Sequence, residues 1–275
     1  MEGVELSARF GSVTNHLKYC GPIDFGKVFS DYLEDKNKQH EMQLKHALTY
    51  FEGHYPYLKL IGKENNLDPF DYKVCEAYWL GNELLENISR EAVFEMITSD
   101  LVGKGKMQIE RATDLAQKLP KKIYPHHSFH VYYIKFITGK VDWNLINADL
   151  CRTPFGRIVE LKAAEEGNGS KEIAEKVNVN NKIGGKRNSD FGKKSIVGAT
   201  VEYKPILFEN GKYVFGDETR REISFYEGNT LLLDGVFVGD WLAFHWDVGI
   251  MKIDETQKNT LEKYTKLNLE LAGTI

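Results

Sequence analysis

The chain has few cysteines and no long hydrophobic run. Cys20, Cys75 and Cys151 are odd in number and widely spaced, and no two of them form a C-x-x-C pair. This pattern argues against a disulfide framework and favours a reducing compartment. No segment approaches the ~18 consecutive apolar residues of a membrane helix, and residues 1–19 lack the basic flank and apolar block of a signal peptide. We therefore expect a cytoplasmic protein with no membrane partner.

An excess of either charge is also missing. The 36 basic and 40 acidic side chains give a formal net charge of −4, so there is no electrostatic reason to expect nucleic acid or an anionic membrane as the main partner. What the chain does have is 275 residues, of which 42% are hydrophobic and 12% aromatic. That composition is typical of a folded protein with well-buried cores.

The first half of the chain has the pattern of a helical bundle. Asp68-Pro69 predicts an N-cap and a proline in the first helical position, and apolar residues follow at helical spacing up to Leu85. Ser89 predicts a second N-cap. Similar amphipathic segments surround Leu44 and Leu115, and the short connections between them indicate a compact bundle.

From about residue 147 the pattern changes to short strands. Residues 162–195 are polar and rich in Gly, Asn and Lys, which predicts a flexible insertion. Asn210-Gly211, between two apolar runs, predicts a β-hairpin. Asp254 and Gln257 predict a capping box at the start of a last helix.

These patterns predict an α+β fold with two domains. Residues 1–147 form the helical bundle, and residues 148–275 form a small OB-like β-barrel with a C-terminal helix.

Two motifs in the second half carry candidate chemistry. The first is Cys151 followed by a turn and a strand, in Cys-Arg-Thr-Pro-Phe-Gly-Arg-Ile-Val. The second is Val238-Gly239-Asp240-Trp241, a tight turn that leads into a strand ending at His245. If the barrel brings the two together, a thiolate and an imidazole make a soft metal-binding pair. A separation of more than about 8 Å would exclude a shared ion, because metal–ligand bonds are only about 2.0–2.3 Å long.

These two motifs, and the order in which they occur, resemble the HypC/HupF family of [NiFe]-hydrogenase maturation chaperones. The resemblance implies that Cys151 is the thiolate ligand and His245 the supporting imidazole for iron that carries diatomic ligands. It also implies as partners the hydrogenase large-subunit precursor and other maturation proteins. Two features differ from the family: Cys151 is internal rather than N-terminal, and Asp247 stands where the family has glycine.

The whole chain also resembles an uncharacterised family that shares two motifs of the helical half. These are Glu-Ala-Tyr-Trp, at residues 76–79, and His-x-x-Phe-His, at residues 126–130. This resemblance implies no function.

The helical half offers a second candidate metal site. In a helix, His126 and His130 would lie on one face at i and i+4, which is ligand spacing, and Glu76 and His54 are further candidate ligands. Such a site would hold iron, as haem or as a carboxylate-bridged di-iron centre. In the alternative interpretation these groups form a polar network between helices, with one histidine as the partner of Glu76.

Three functions follow from these sites. The first is a maturation factor that binds or transfers the iron fragment. The second is an iron- or haem-dependent oxygenase-like enzyme centred on the helical half, which could supply a diatomic ligand. The third is an interaction module whose barrel has lost its chemistry.

Overall fold

The computed structural model describes residues 1–103, 107–164 and 196–274. Most of the predicted insertion, residues 165–195, lies outside these ranges, whereas Lys162 and Ala163 belong to a strand. The described part of the first half is helical. Its α-helices are α1 (Gly3–His16), α2 (Gly26–Glu34), α3 (Lys38–Leu48), α4 (Tyr55–Asn65), α5 (Tyr72–Trp79), α6 (Arg90–Glu95), α7 (Leu101–Gly103), α8 (Ile109–Gln117), α9 (His127–Phe129) and α10 (Leu145–Cys151).

Helix α5 differs from its prediction at both ends. It begins after Asp71, whose side chain accepts a hydrogen bond from Lys73 N, so Asp68-Pro69 is not its cap. The helix ends at Trp79, and the residues that continue its apolar pattern lie in a separate 3-10 turn at Glu83–Asn87. The cap at Ser89 is confirmed, since its side chain accepts from Ala92 N.

Two of the helices pass into π-helical turns, at Met96–Asp100 and at His130–Ile134. The second turn follows α9 directly and is buried at all five residues. A π-turn changes the angular spacing of side chains, so the i, i+4 rule for an α-helix does not hold across it.

The second half contains nine described strands and one helix, which together with the first half confirm the α+β fold class. The strands are β1 (Phe155–Ala163), β2 (Ile196–Tyr203), β3 (Ile206–Glu209), β4 (Lys212–Phe215), β5 (Thr219–Ser224), β6 (Tyr226–Glu227), β7 (Thr230–Leu231), β8 (Trp241–His245) and β9 (Val248–Ile253). Five of them close a barrel in the order β1-β2-β5-β9-β8. Neighbouring strands are antiparallel, except that β5 meets β9 in parallel where Ser224 faces Val248.

The hairpin and the last helix form as the sequence predicts. Asn210 and Gly211 connect β3 to β4 with positive φ angles of 52° and 77°, although this hairpin lies outside the barrel as a two-stranded sheet. Helix α11 (Glu255–Ala272) begins with the predicted capping box of Asp254 and Gln257. In the described ranges, no helix combines the length and apolar character that a membrane span needs.

The largest hydrophobic core crosses the boundary between the two halves. It contains Phe10 and Trp79 from the helical half together with Ala243 and Ile250 from the barrel. The division into domains at residue 147 stays a prediction. Direct contacts nevertheless cross this boundary: Arg9 of α1 donates to Ile250 O of β9, and the Trp79 ring of α5 packs against the His245 ring of β8.

Candidate metal centre

Cys151 is the last residue of α10, and two sets of hydrogen bonds hold this helix end against the barrel. Trp246 N, just after β8, donates to Leu150 O at 3.0 Å. Strand β1 then pairs with β8, with Phe155 opposite Ala243. The first sequence motif at Cys151 and the second at His245 are therefore hydrogen-bonded neighbours. The Cys151 side chain is buried where they meet.

His245 is the last residue of β8 and is buried between the two halves. Its Nδ1 lies 3.3 Å from the carbonyl oxygen of Phe10 in α1. A carbonyl oxygen can only accept a hydrogen bond, so Nδ1 of His245 carries the proton. Nε2 of His245 is then unprotonated and has a free lone pair. Nε2 is buried and has no hydrogen-bond partner among the described residues, which makes it available to an ion.

His127 opens the short helix α9 and reaches the same place from the helical half. Its Nε2 lies 3.6 Å from Cys151 Sγ and 2.7 Å from the Cys151 carbonyl oxygen. On the other side of the ring, Nδ1 lies 2.7 Å from the Tyr78 hydroxyl oxygen. His127 is not among the ligands predicted from the sequence, although it lies beside His126 and His130 in the densest histidine cluster of the chain.

One ligand atom each from His127, Cys151 and His245 forms a group within 4.8 Å. Two atoms that share one ion lie at most about 4.5 Å apart, because each bond is about 2.0–2.3 Å long. Small side-chain movements are therefore enough to close the three residues around an ion. Two imidazoles and a thiolate suit iron, zinc, copper or nickel rather than magnesium or calcium. The cluster could hold a metal ion, and the geometry does not select which one.

Burial sets the protonation of all three side chains. It lowers the pKa of His245 to about 4 and, together with the nearby His245, lowers the pKa of His127 well below its usual value. Both rings are thus neutral, as metal ligands must be. Burial raises the pKa of the Cys151 thiol, so Cys151 is protonated in the metal-free protein. An ion held there would bind the thiolate and displace this proton into solution.

A cavity of about 50 Å³ adjoins the cluster. His127, Cys151 and His245 form part of its wall, and His54, His130 and Cys20 also line it. Several aromatic rings complete the wall, among them Phe51, Trp79, Phe136 and Trp246. An ion at the cluster would therefore face an apolar space on one side.

The other candidate ligands lie outside the cluster. His126 is the N-cap of α9, and its Nε2 donates to Trp79 O at 3.2 Å. His130 lies in the π-helical turn and has Nδ1 3.0 Å from the Tyr57 hydroxyl. His54 has Nε2 3.3 Å from Ser7 Oγ. His130 and His54 line the cavity without belonging to the group of three, and the α-helix that would align His126 with His130 does not form.

Glu76 is held by a polar network rather than by a histidine. Its carboxylate accepts from Tyr72 Oη at 3.2 Å, from Asn82 Nδ2 at 3.1 Å and from Gln257 Nε2 at 2.9 Å. Gln257 belongs to the capping box of α11, so Glu76 links the helical half to the last helix. The expected histidine partner of Glu76 is therefore wrong. The cluster of three contains no carboxylate, and so it does not support a di-iron centre.

The protein therefore combines a helical half with a closed five-stranded barrel. A Cys-His-His cluster lies where the two halves meet. The sequence matches the family described as "Family of unknown function (DUF6390)" over residues 1–175 and 193–274, and the chain belongs to this family. All three cluster residues lie within the matched ranges. No curated protein and no solved structure matches the chain. The predicted membership of an uncharacterised family is thus confirmed, and the resemblance to HypC/HupF stays a prediction.

Proposed function

We propose that this protein is an accessory factor of [NiFe]-hydrogenase maturation that binds iron at His127, Cys151 and His245. The iron fragment, with its carbon monoxide and cyanide ligands, is its cargo. The observation that carries the proposal is the meeting of the three ligand atoms within 4.8 Å. A soft thiolate with imidazole support suits low-spin iron with strong-field ligands. The cargo passes to the hydrogenase large-subunit precursor, with other maturation proteins as further partners in the cytoplasm.

The arrangement of the barrel supports this proposal. If the five barrel strands are numbered along the chain, their order is 1-2-3-5-4, closed by strand 4 on strand 1. We propose that this barrel is of the OB type, a small Greek-key barrel of five strands. The Val-Gly-Asp turn packs on β1, since Gly239 N donates to Ile158 O at 2.8 Å. The two motifs of the resemblance are therefore neighbours in space.

Asp247, which stands where the maturation family has glycine, is compatible with the proposal. Its φ is +63°, in the left-handed region that glycine adopts freely and that aspartate tolerates better than most residues. Its carboxylate also forms an ion pair with Arg221. The departure at this position keeps the backbone turn and adds a contact to β5.

The apolar cavity beside the cluster supports an iron fragment that brings its own ligands. Three protein atoms leave coordination positions for non-protein ligands, and the cavity of about 50 Å³ is the space into which small ligands such as carbon monoxide and cyanide would extend. Because no Lys, Arg, Asp or Glu is among the lining residues in the described part of the chain, that wall presents no fixed charge that would compete for the iron.

The direct test is anaerobic isolation of the full chain from cells that produce a [NiFe]-hydrogenase. We expect about one iron per chain and infrared bands of bound cyanide or carbon monoxide. Cys151→Ala, His127→Ala and His245→Ala should each lose most of the iron and the bands. Cys75→Ala is the matched control, because Cys75 is a buried thiol outside the cluster.

Iron content that survives Cys151→Ala would show that the cluster is not the iron site. Iron that depends on the cluster but shows no infrared bands would support metal binding and contradict the maturation role. Normal hydrogenase maturation in cells that carry Cys151→Ala would also contradict that role.

A metal-dependent enzyme is the second candidate function, and the cavity is the observation that favours it. A mostly apolar space with a few polar groups beside a metal cluster is where a small substrate binds in many enzymes. If the enzyme is haem-dependent, the full chain should show a haem absorption band. If it is an oxygenase-like iron enzyme, the iron-loaded full chain should consume oxygen. Absence of both in iron-loaded protein would leave the maturation role as the better account.

A further inference from the structure

We propose that the indole N–H of Trp79 recognises a small anion, of the size of cyanide or azide, that binds the metal beside the three protein ligands. The inference rests on the metal site of the proposed function and deepens it, because it assigns the group that contacts the outer atom of a non-protein ligand. The observation that carries it is a buried N–H donor in the cavity wall that has no acceptor among the described residues.

Four buried polar atoms of the cavity wall have no hydrogen-bond partner within the described ranges. They are His54 Nδ1, Trp79 Nε1, His245 Nε2 and Trp246 Nε1. Such atoms are rare in folded proteins, because a polar group that loses water and gains no partner is destabilising. The cavity of about 50 Å³ has room for a small partner, since one water needs about 10–15 Å³ of such space.

Two of these four atoms have a role in the metal site itself. Nε2 of His245 is the lone pair that binds the metal. Trp246 packs against the small core that contains Cys151. Burial raises the pKa of the Cys151 thiol, and the Trp246 side chain partly opposes that rise. The Trp246 N–H therefore favours the thiolate that the metal needs.

The third atom, His54 Nδ1, is an acceptor and not a donor. Cys75 Sγ donates to Pro69 O at 3.7 Å, and Ser7 Oγ donates to Cys75 Sγ at 3.3 Å. The remaining contact of Ser7 Oγ, with His54 Nε2 at 3.3 Å, therefore takes its proton from the imidazole, and Nδ1 is a lone pair. Trp79 Nε1 is thus the donor of the four that still needs an acceptor.

The packing of Trp79 fixes its indole next to the cluster. Its side chain stacks on the Phe10 ring, with centroids 4.1 Å apart and an angle of 5° between the planes. Its ring centroid also lies 4.5 Å from that of His127 and 5.7 Å from that of His245. Because Trp79 is only 3% exposed, it is held against both imidazole ligands.

The charge of the site favours an anion as the acceptor. A dication bound by two neutral imidazoles and one thiolate keeps one positive charge, and no Lys, Arg, Asp or Glu lines the cavity in the described part of the chain. Three protein ligands leave a position open on the metal, and one anion there neutralises the buried charge. Hydrogen bonds to an ionised acceptor are also stronger than those to a neutral one.

The test loads the metal-free full chain with Co²⁺, whose visible absorption reports a change of ligands, and titrates it with azide. We expect saturable azide binding to the wild type. Trp79→Phe should weaken azide binding at least fivefold and leave the affinity for Co²⁺ unchanged. Trp241→Phe is the matched control, because Trp241 is a half-buried tryptophan that is not among the lining residues, and it should bind azide as the wild type does.

NMR of the indole N–H groups in the Zn²⁺-loaded wild type gives a readout that needs no Trp79 variant. We expect azide to move the Trp79 signal downfield and to leave the Trp241 signal in place. Equal azide affinity in wild type and Trp79→Phe, or an unmoved Trp79 signal, would overturn the inference and leave the metal site standing. A water between Trp79 and His54 would then account for both atoms.

Failure of the proposed metal site gives a different result. A full chain that binds no Co²⁺, or binds it equally after Cys151→Ala, would overturn the metal site and this inference with it. The Co²⁺ affinity thus tests the cluster, and the azide affinity at constant Co²⁺ affinity tests Trp79.

Discussion

The hydroxyl oxygen of Tyr78 lies 2.7 Å from Nδ1 of His127 and also contacts the carbonyl oxygen of Gly53. On the far side of the ring, His127 Nε2 lies 2.7 Å from the Cys151 carbonyl oxygen. Neutral His127 and Tyr78 supply one proton each for these three contacts. The short contact with the Cys151 carbonyl places the proton of neutral His127 on Nε2. A metal at Nε2 would displace this proton and break that hydrogen bond, leaving one arrangement, in which His127 Nδ1–H donates to Tyr78 and Tyr78 donates to Gly53. In the proposed metal site Tyr78 would thus be a positioning residue for His127.

The first prediction is that Tyr78→Phe weakens metal binding while the protein stays folded. The variant removes the acceptor for His127 Nδ1–H, and the loss of such a partner lowers metal affinity by about 10–100-fold. Zn²⁺ in competition with a chelator measures the affinity. Tyr57→Phe is the matched control, because Tyr57 contacts His130, which is not a cluster residue.

Nitrogen NMR of the Zn²⁺-loaded protein gives a readout that a loss of packing would not produce. We expect the wild type to show His127 protonated at Nδ1, and Tyr78→Phe to change that signal. Equal Zn²⁺ affinity in wild type and Tyr78→Phe, or the same loss in Tyr57→Phe, would contradict the role of Tyr78.

The second prediction concerns the buried ion pair that fastens α10, and with it Cys151, to the barrel. Asp149 accepts from Arg152 Nε at 2.8 Å, from Ile206 N at 3.0 Å and from Tyr203 Oη at 3.2 Å. Arg152 is only 1% exposed. Asp149→Ala leaves this guanidinium without its carboxylate, and we expect the free energy of unfolding to fall by about 3–5 kcal/mol. Urea unfolding measures the change.

An exposed pair provides the comparison for Asp149. Lys27 and Asp31 form an i, i+4 pair on the surface of α2 at 2.7 Å, and Asp31→Ala should cost at most about 0.5 kcal/mol. If Asp149→Ala and Asp31→Ala lower the free energy of unfolding by the same amount, burial is not the reason why the Asp149–Arg152 pair stabilises the protein.

The third prediction is that Gly53→Ala destabilises the protein. A Cβ at Gly53 would lie 2.7 Å from His130 Nε2, well inside the ~3.5–4.0 Å of a favourable contact. His130 must then turn and lose its contact with Tyr57. We expect the free energy of unfolding to fall by about 1–3 kcal/mol, measured by urea unfolding.

Gly103→Ala is the control for Gly53, because an added Cβ there has no atom of the described residues within 4 Å. We expect its unfolding free energy to stay within about 0.5 kcal/mol of the wild type. Equal effects of the two substitutions would mean that the contact with His130 is not the cause.

Local signals in the sequence predict the elements that short-range chemistry determines. The Asn210-Gly211 hairpin forms because both residues adopt positive φ. Helix α11 begins after Asp254 because the capping box supplies acceptors for the N–H groups of Asp254 and Gln257. Cys151 and His245 are each recognisable from a turn beside a strand. Asp68-Pro69 misleads because Asp71 is an equally good cap three residues later.

The third member of the cluster depends on tertiary structure. The spacing of His126 and His130 predicts an α-helical face, but His126 caps the helix and a π-helical turn begins at His130. His127 then faces Cys151 from the other half of the chain. Its partner Tyr78 lies 49 positions away in the sequence, and no local pattern relates the two. The Tyr78–His127 pair is visible only after the helices of the first half are packed together, and the contact of His127 with Cys151 only after the two halves are.

The fourth prediction is an acid sensitivity that His54 causes. Burial lowers the pKa of His54 to about 3 in the folded protein, whereas an unfolded histidine has a pKa of about 6.5. As the pH falls below about 6.5, this histidine becomes protonated in the unfolded chain but stays neutral in the folded protein until about pH 3. The free energy of unfolding therefore falls by up to about 1.4 kcal/mol per pH unit over this range. His54→Gln keeps a side-chain donor near Ser7 and removes this titration. We expect the variant to be less stable than the wild type at pH 8 and the difference to shrink steadily between pH 6 and pH 4.5, as measured by urea unfolding at each pH. Parallel stability curves for the two proteins over this range would show that His54 is not the titrating group.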